Sequence, residues 1–324
     1  MAKQAVWLSG LVEFETAEDI LNRVGHIAIS DTSVWRRAKK WGERCQAVEA
    51  TERAMATALP PRGEIVAGEA QTLDKMGVGM DGAMVHIRRE GWKELKVGCV
   101  FDIEVRPTRD KHTREVVDLA HAVRNSYVAH LGGPETFGAL VWTEARRRHW
   151  SQARDTIALG DGAAWVWNLV QDHFFDSRQC VDWYHAIQHL SNAANALQGE
   201  GTSAAQKWFK SQKTPLFEGH ADQIVTRLRQ AATHRPKIAE ALRREAGYFK
   251  DNAHRMQYME TREEGFPIGS GMVECGCKQF RTRFAGPGMR WSRPGLERLL
   301  PVRAAIMGHS FDQLWRAAYR KPPK

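Results

Sequence analysis

Residues 76–197 alternate between strand-like and helix-like segments, and this order constrains the fold more than any other feature of the chain. MGVGMDGAMVHIR and LKVGCVFDIEV are rich in Val and Ile and are separated by Arg-Glu-Gly, a pattern typical of two antiparallel strands joined by a turn. SYVAHL, DTIALGD and CVDWYHA predict three further strands, and the helical segments are PETFGALVWTEARRRHW, AAWVWNLVQDHFF and HAIQHLSNAANAL. Three strands followed by alternating helices and strands predict an α/β fold with a mixed sheet.

Two helices are predicted before this sheet. AEDILNRVG has apolar residues at helical spacing with Gly25 as a stop, and Ser30 or Asp31 caps a second helix, TSVWRRAKKWGERCQAVEA. Its predicted outer face is basic and comprises Arg36, Arg37, Lys39, Lys40 and Arg44. This pattern resembles a small helix-turn-helix whose second helix suits the major groove of DNA, and an ordinary amphipathic helical hairpin fits the spacing equally well.

We divide the chain by composition into five segments. Pro60-Pro61-Arg62-Gly63 indicates a linker, and residues 190–262 are mostly Ala, Gln, Lys, Arg and Leu with few strand formers, which predicts a helical insertion. The segments are a helix-turn-helix-like DNA-binding segment (1–60), a linker (61–75), a first part of an α/β core (76–189), a helical insertion (190–264) and a final part of the core with basic C-terminal helices (265–324).

The composition is that of a folded protein. Hydrophobic residues make up 43% of the 324 residues, which excludes a disordered chain. No apolar run approaches the roughly 20 residues that span a bilayer, and the apolar stretch near the start ends at Glu13 without a cleavage site, so we expect no signal peptide and no membrane. The five cysteines contain no Cys-x-x-Cys pair, which fits a reducing cytosol and argues against a zinc ribbon.

Three acidic residues lie in apolar, glycine-flanked settings where we expect a strand to end or a tight loop to begin: Asp81 in GMDGAM, Asp161 in LGDGAAW and Glu274 in GSGMVE. Buried carboxylates are costly unless they are paired or bind a metal ion. Carboxylate oxygens are the ligands that Mg²⁺ prefers, and two such ions can serve one phosphodiester. Taken singly, each Asp-Gly fits a turn and the Glu fits a helix N-terminus, and the joint pattern favours a metal site.

A second group of polar residues follows Asp161. Asp182 and His185 are three residues apart at a predicted strand-to-helix junction, where a carboxylate orients an imidazole well. His189 lies one turn further, so the three side chains are also a candidate transition-metal site. We favour a supporting role for Asp182 and His185 near the acids, and a structural histidine remains the simpler alternative.

Positive charge is concentrated after Glu274. The formal net charge is +9, and residues 274–324 contain 11 Lys and Arg against 3 acidic residues, so this segment holds nearly the whole excess. Lys278, Arg281 and Arg283 follow Glu274 on one predicted helix, and Arg290 and Trp291 lie in a turn that contains Gly-Pro-Gly. Such charge suits a phosphodiester partner, and Trp291 either stacks on an unpaired base or belongs to the core.

At these residues the sequence resembles the DDE transposases of bacterial insertion sequences, specifically the ISKra-type group, and more distantly the Mutator-like transposases. The matching stretches are MDGAMVHIRREGWKELKVGCVF, LGDGAAWVWNLVQDHFFDSRQCVDWYHAIQHL, GSGMVECGCKQFRTRFAGPGMRW and LPVRAAIMGHSFDQLW. Two departures are Cys275 and Cys277, which follow the last acid where a small residue is expected, and an N-terminal part that is short for the family.

The resemblance implies an RNase H-like α/β fold, a mixed sheet interrupted by an all-helical insertion before the last acid. It implies that Asp81, Asp161 and Glu274 are catalytic and hold two Mg²⁺ ions, which Mn²⁺ replaces. Asp182 and His185 match an Asp/Cys-x-x-His pair that arranges the cleavage site or the flanking DNA.

The implied activity is cleavage of phosphodiester bonds at the ends of an insertion sequence and joining of the 3′-hydroxyl to target DNA. The implied partners are double-stranded DNA and further copies of the chain, a homodimer or higher in a synaptic complex, in the bacterial cytoplasm near the nucleoid. The DNA contacts would be Arg36, Arg37, Lys39 and Lys40 at the element ends, with Lys278, Arg281, Arg283, Arg290 and Trp291 near the cut. The alternatives are a non-catalytic DNA-binding protein or repressor, and a small-molecule hydrolase built on Asp182, His185 and His189.

Overall fold

A computed structural model describes residues 1–57, 74–109 and 115–320 of the chain. The predicted linker over 61–75 lies outside the described residues except for its last two positions, and so do the final four residues. None of the helices in these described ranges is long and apolar enough to cross a membrane.

The predicted α/β class with a mixed sheet is confirmed. The strands are β1 (Lys75–Ile87), β2 (Gly91–Arg109), β3 (Val116–His130), β4 (Asp155–Gly160) and β5 (Arg178–Val181). They form a five-stranded sheet in the order β3-β2-β1-β4-β5, in which β1 and β2 are antiparallel and β4 and β5 are parallel.

Helices make up most of the remaining described chain. Those before the sheet are α1 (Ala2–Ser9), α2 (Phe14–Arg23) and α3 (Asp31–Thr57). Those between β3 and the insertion are α4 (Pro134–Arg147), α5 (Ala164–His173) and α6 (Trp183–Gln198). The predicted helical insertion contains α7 (Ser203–Phe217), α8 (Ala221–His234), α9 (Ala239–Asn252) and α10 (Tyr258–Glu263). The chain ends with α11 (Gly271–Phe284), α12 (Arg293–Glu297), α13 (Leu300–Met307) and α14 (Phe311–Arg320).

The chain divides into two compact units that do not follow the sequence order. The first contains Met1–Asp102, Arg124–Arg154 and Gly271–Lys324, and the second contains Ile103–Val123 and Asp155–Ser270. The division falls within β2 and β3, and the start and the end of the chain belong to the same unit.

In the first unit, the N-terminal helices share a core with the C-terminal helices. One buried cluster joins Val6 of α1, Trp41 of α3, Val302 of α13 and Phe311 of α14. The rings of Trp41 and Trp315 lie 4.2 Å apart between their centroids. Helix α1, which the sequence analysis treated only as an apolar stretch, therefore lies at the centre of this packing.

Two buried arginines of the first unit hold the C-terminal end of α1. Arg283 donates from Nε to the carbonyl oxygen of Ser9 at 2.9 Å, and Arg303 donates from Nη1 to that of Gly10 at 3.3 Å. The last carbonyl groups of a helix have no partner within the helix and carry partial negative charge, so cations satisfy them well. Residues from the last quarter of the chain thus satisfy the last carbonyl groups of its first helix.

Strand β1 continues through Asp81, so the expectation that this residue lies at a strand end is wrong. Asp81 is paired with Val97 of β2, and the ladder extends without interruption from Met76 to Ile87. The Asp-Gly pair is a common turn signal, but here apolar residues on both sides are buried and keep the strand extended. Asp81 accepts a hydrogen bond on Oδ1 from the amide of Gly82 at 2.6 Å.

The second unit contains the parallel strands and the helical insertion. Helices α8 and α9 pack together, with Leu228 and Leu242 fully buried. Helix α6 packs against α7 and α9, and Trp183 at its start meets Tyr258 edge-on with ring centroids 4.7 Å apart. The insertion is therefore packed onto the helix that follows β5.

The packing of α11 on β1 gives a first prediction. Phe280 is fully buried on α11, so we expect Phe280→Ala to lower the free energy of unfolding by about 3–5 kcal/mol through lost burial and cavity formation. Urea denaturation followed by circular dichroism measures this change. Thr282→Ala, an exposed position of the same helix, is the control and should stay within about 0.5 kcal/mol of the original chain. Equal stability of the two variants would contradict the packing described here.

Candidate active site

The three acids predicted as a metal site lie on three different elements. Asp81 is in β1 and Glu274 is in the first turn of α11, both in the first unit. Asp161 directly follows β4 in the second unit. All three carboxylates are half-buried, which suits groups that need both a fixed position and access to a ligand.

The carboxylates of Asp81 and Glu274 both raise the pKa of one thiol, that of Cys277. Cys277 follows Glu274 by three residues on α11, so both lie on one side of the helix, and the thiol of Cys277 is hydrogen-bonded to Asp81. Burial raises the pKa of Cys277, and the negative charges of Asp81 and Glu274 raise it further. The thiol is therefore protonated at neutral pH and donates to the carboxylate. Asp81 and Glu274 therefore both lie near Cys277, where α11 packs against β1.

Helix α11 is fixed by a close approach to Tyr127 of β3. A Cβ atom at Gly276 would lie 2.6 Å from Cε1 of this ring, so only glycine fits there. The Tyr127 hydroxyl donates to the carbonyl oxygen of Met272 at 3.2 Å, one turn before Gly276. Because both contacts are on the turn that carries Glu274, they set its position along the strand.

Asp161 is held by the loop that starts α5. Its Oδ1 accepts from the amide of Ala163 at 2.9 Å, while its second carboxylate oxygen is not part of this turn. Gly162 between them has φ +102°, a conformation that other residues rarely adopt. The Asp-Gly pair forms a tight turn here directly after β4, as the sequence predicted.

Tyr248 of the insertion braces this turn. Its hydroxyl donates to the carbonyl oxygen of Asp161 at 3.3 Å, and its ring stacks on His189 with centroids 3.5 Å apart. His189 is in turn bonded through Nδ1 to Glu245 at 2.6 Å. The proximity of Asp161 to the phenol raises the pKa of Tyr248, after burial as the main cause.

The sequence analysis did not identify Tyr248 or Glu245. They lie more than 80 residues after Asp161, and α9 shows only the ordinary pattern of an amphipathic helix. No local signal pointed to them.

Asp182 and His185 come together as predicted, and Asp182 also performs a structural task. Its Oδ1 caps α6 by accepting from the amide of His185 at 2.7 Å and lies 3.0 Å from Nδ1 of that imidazole. Its Oδ2 accepts from the amide of Ser270 at 2.5 Å. Burial alone would raise the pKa of Asp182, but the hydrogen bonds from His185 and Ser270 outweigh it and lower the pKa.

His189 does not join this pair. It is engaged with Glu245 and Tyr248, so the structure does not favour the alternative in which Asp182, His185 and His189 bind one transition metal.

The basic residues expected to contact DNA fall into two groups. Arg36, Lys39 and Lys40 are exposed on α3, whereas Arg37 is half-buried and donates to the carbonyl oxygen of Ser33 at 3.2 Å. In the C-terminal part, the exposed ones are Lys278, Arg281 and Arg290.

The prediction that Arg283 contacts DNA phosphates near the cut is wrong. Arg283 is only 3% exposed, bonded to Ser9, and lies over the ring of Trp291, so it does not belong to an outer phosphate-binding surface. Trp291 is half-buried, with its Nε1 donating to the carbonyl oxygen of Phe284 at 2.9 Å. Its ring edges meet Phe14 and Phe284, so Trp291 mainly forms the wall of a packed aromatic group.

Comparison with known proteins adds no assignment: no protein-family model matches the chain, and no curated protein matches its sequence significantly. Carboxylate oxygens of Asp81, Asp161 and Glu274 are the hard donors that Mg²⁺ favours, and the protonated Cys277 is not a ligand for it.

The brace on Asp161 gives a second prediction. Tyr248→Phe removes only the hydrogen bond, and we expect it to lower the free energy of unfolding by about 0.5–1.5 kcal/mol. Tyr248→Ala also removes the stack on His189, so its cost should be larger. Thermal and urea unfolding measure both. Identical stability of Tyr248→Phe and the original chain would show that the hydroxyl contributes nothing to the turn.

The clamp at Asp182 gives a third prediction. Asp182→Asn places a donor against the amide of Ser270 and should lower the free energy of unfolding at pH 7 by about 1–3 kcal/mol. Because the folded pKa of Asp182 is lower than its ordinary value of 3.8, its contribution is complete above that pH and is lost as the pH falls through the folded pKa. The difference between the two chains should therefore narrow below pH 3.8 in urea unfolding measured at several pH values. Asp251→Asn, at an exposed position of the insertion, should show neither effect.

Proposed function

We propose that this chain is a DDE-type DNA transposase with an RNase H-like core, which cuts phosphodiester bonds at the ends of an insertion sequence and joins the 3′-hydroxyl to target DNA. The main support is that α11, which carries Glu274, packs against β1, which carries Asp81 193 residues earlier, and that Cys277 of α11 is hydrogen-bonded to Asp81. The resemblance of the surrounding stretches to DDE transposases supplies the reaction class. The mixed sheet and the helical insertion before Glu274 agree with it.

The proposed metal ligands are Asp81, Asp161 and Glu274, and the ions are two Mg²⁺, for which Mn²⁺ substitutes. When bound, such ions activate a water or hydroxyl nucleophile and stabilise the leaving oxygen of the phosphodiester. The chain's own residues hold the ligands in place. Cys277 donates a hydrogen bond to Asp81, and the Gly162 turn directs Asp161.

Asp182 and His185 act in this proposal as positioning residues. Asp182 fixes the start of α6 and binds the amide of Ser270, the residue directly before α11. The clamp therefore restricts the chain just before Glu274. The His185 side chain is 40% exposed, and in this proposal it lies beside the cut DNA.

The proposed DNA contacts are of two kinds. Exposed Arg36, Lys39 and Lys40 on α3, together with Arg37, would bind the element ends, and exposed Lys278, Arg281 and Arg290 would bind phosphates near the cut. Lys and Arg supply the sequence-independent part of DNA affinity by releasing counterions from the phosphates. We further propose that the active form is a homodimer or larger, because two element ends must be held together.

Substitution of single acids gives a fourth prediction. Asp161→Asn and Glu274→Gln should each reduce Mg²⁺- or Mn²⁺-dependent nicking of a labelled duplex by more than about 100-fold, since each removes a ligand that supports transition-state charge. The duplex should carry the inverted repeats that flank the coding sequence. DNA binding in a gel-shift assay should survive, and Asp251→Asn is the matched control for an exposed acid.

The outcomes of this experiment separate the functions. Full nicking by Asp161→Asn or Glu274→Gln would overturn the assignment of the acids. A footprint on DNA without nicking in either metal would instead favour the non-catalytic DNA-binding protein.

The exposed charges of α3 give a fifth prediction. Arg36→Ala and Lys40→Ala should each weaken binding to the element ends and reduce the slope of log K against log salt by about 1, if each contacts one phosphate. Lys207→Ala, an exposed lysine of α7, should leave both quantities unchanged. Fluorescence anisotropy at several salt concentrations measures the slopes. An unchanged slope in both α3 variants would remove this helix from the interface.

A further inference from the structure

A groove of about 710 Å³ lies within the first unit, beside α3 and the loop of residues 286–292. Its volume falls in the range of sites that bind small organic molecules. The side chains that define it for the present argument are Trp35 and Lys39 of α3, Arg88 after β1, and Arg283, Arg290 and Trp291. The sequence analysis did not connect α3 with this loop.

The loop that forms one wall is tied to the end of β1. The amide of Trp291 donates to the carbonyl oxygen of His86 at 3.1 Å, and the amide of Arg88 donates to that of Trp291 at 2.8 Å. Arg88 also donates from Nε to the carbonyl oxygen of Arg290 at 2.9 Å. These bonds extend the strand pairing into the loop, so the groove wall is built on a fixed backbone.

The opposite wall offers an aromatic face. Trp35 is 45% exposed, although tryptophan is usually among the more buried residues. Lys39, one helical turn further, places its Nζ 5.9 Å from the centre of this ring. An exposed indole beside a cation is the arrangement with which proteins stack nucleic-acid bases and hold the adjoining phosphate.

Arg283 supplies a donor that needs an acceptor. Its Nε is bonded to Ser9, but its Nη2 is buried and no acceptor for it lies within the described residues. Such a buried donor is destabilising unless a ligand or water satisfies it. Burial lowers the pKa of Arg283 to about 10, which keeps the guanidinium charged at neutral pH.

The charges of the residues that line the groove limit which ligand can bind in it. The basic side chains are Lys39, Arg88, Arg283, Arg290 and Arg298, and the acidic ones are Glu13, Glu15 and Asp31. Arg298 is paired with Glu43 at 3.0 Å, and Glu13 acts on Arg283 electrostatically. The groove is therefore weakly positive, which suits a planar ring with one phosphate better than a run of several phosphates.

We propose that this groove, which the charged Arg283 also lines, binds one unpaired nucleotide of DNA whose base stacks on Trp35. Its phosphate faces Lys39 and Arg290 at the rim. The inference rests on the proposed function, which provides the DNA, and adds to it that one nucleotide leaves the duplex. Taking a base out of the stack costs free energy, which the stacking on an indole offsets.

The test uses the full chain and short single strands in buffer with EDTA, so that no cleavage occurs. The probe is an oligothymidylate with one central 2-aminopurine, whose fluorescence falls when the base stacks on an aromatic side chain. We expect quenching by the original chain. Trp35→Ala should lose the quenching and weaken binding by about 5- to 100-fold, the range for loss of one stacked base, whereas Trp35→Phe should keep most of both.

Two controls make the result specific to the groove. Trp92→Ala removes a tryptophan that is 60% exposed elsewhere and should bind like the original chain. A strand of the same length made only of abasic sites should bind as weakly to the original chain as the intact probe binds to Trp35→Ala. Undiminished binding of the abasic strand would show that the protein binds only the phosphates. Quenching by Trp35→Ala equal to that by the original chain would overturn the proposal.

The two proposals fail in different ways. Absence of metal-dependent nicking by the original chain, with quenching intact, would remove the transposase assignment and leave the nucleotide site. Normal nicking with no effect of Trp35→Ala on quenching would remove the nucleotide site alone.

Discussion

The contact between α11 and β1 carries the proposed chemistry. Val273 and Cys277 are buried in this contact, and Glu274 lies between them in the sequence, so the helix fixes the direction in which its carboxylate points. Asp81 is held by the pairing of β1 with β2. Because both acids stand on regular elements and not on loops, their separation depends on backbone packing more than on side-chain freedom, which is what a site that positions ions requires. The close fit of Gly276 against Tyr127 stabilises the same contact from the other side.

Most elements of the α/β part could be predicted from local pattern, because alternation, turns and helical spacing are properties of short windows. The errors have physical causes. Asp81-Gly82 is a turn signal by composition, but the paired strand on its other side overrides that preference. Strand β3 is longer than predicted, since DLAHAVRN mixes polar and apolar residues and its side chains are mostly half-buried.

For the candidate site, the acidic residues could be predicted from the sequence, but the residues that hold them in position could not. The three acids stood out because carboxylates flanked by glycine and apolar residues are unusual. Tyr248 and Glu245 did not, because their contacts with Asp161 and His189 span 87 and 56 residues of the sequence. His189 was expected only as a possible metal ligand, not as the partner of Glu245. Charge was misleading where burial decides: Arg283 was expected to contact DNA, yet it is 3% exposed and, with the 8% exposed Arg303, binds the end of α1.

The use of Arg283 and Arg303 to complete α1 has a consequence for synthesis. The first three helices leave the ribosome early, but the side chains that cover their apolar faces, such as Phe311 and Trp315, are made last. At ordinary elongation rates the interval is on the order of 10–50 s. During this interval Trp41 and its buried neighbours lack their C-terminal partners. The apolar face of α3 is therefore not yet covered in an incomplete chain. The helix that we assign to the element ends is therefore completed only after the last acid, Glu274, has been synthesised.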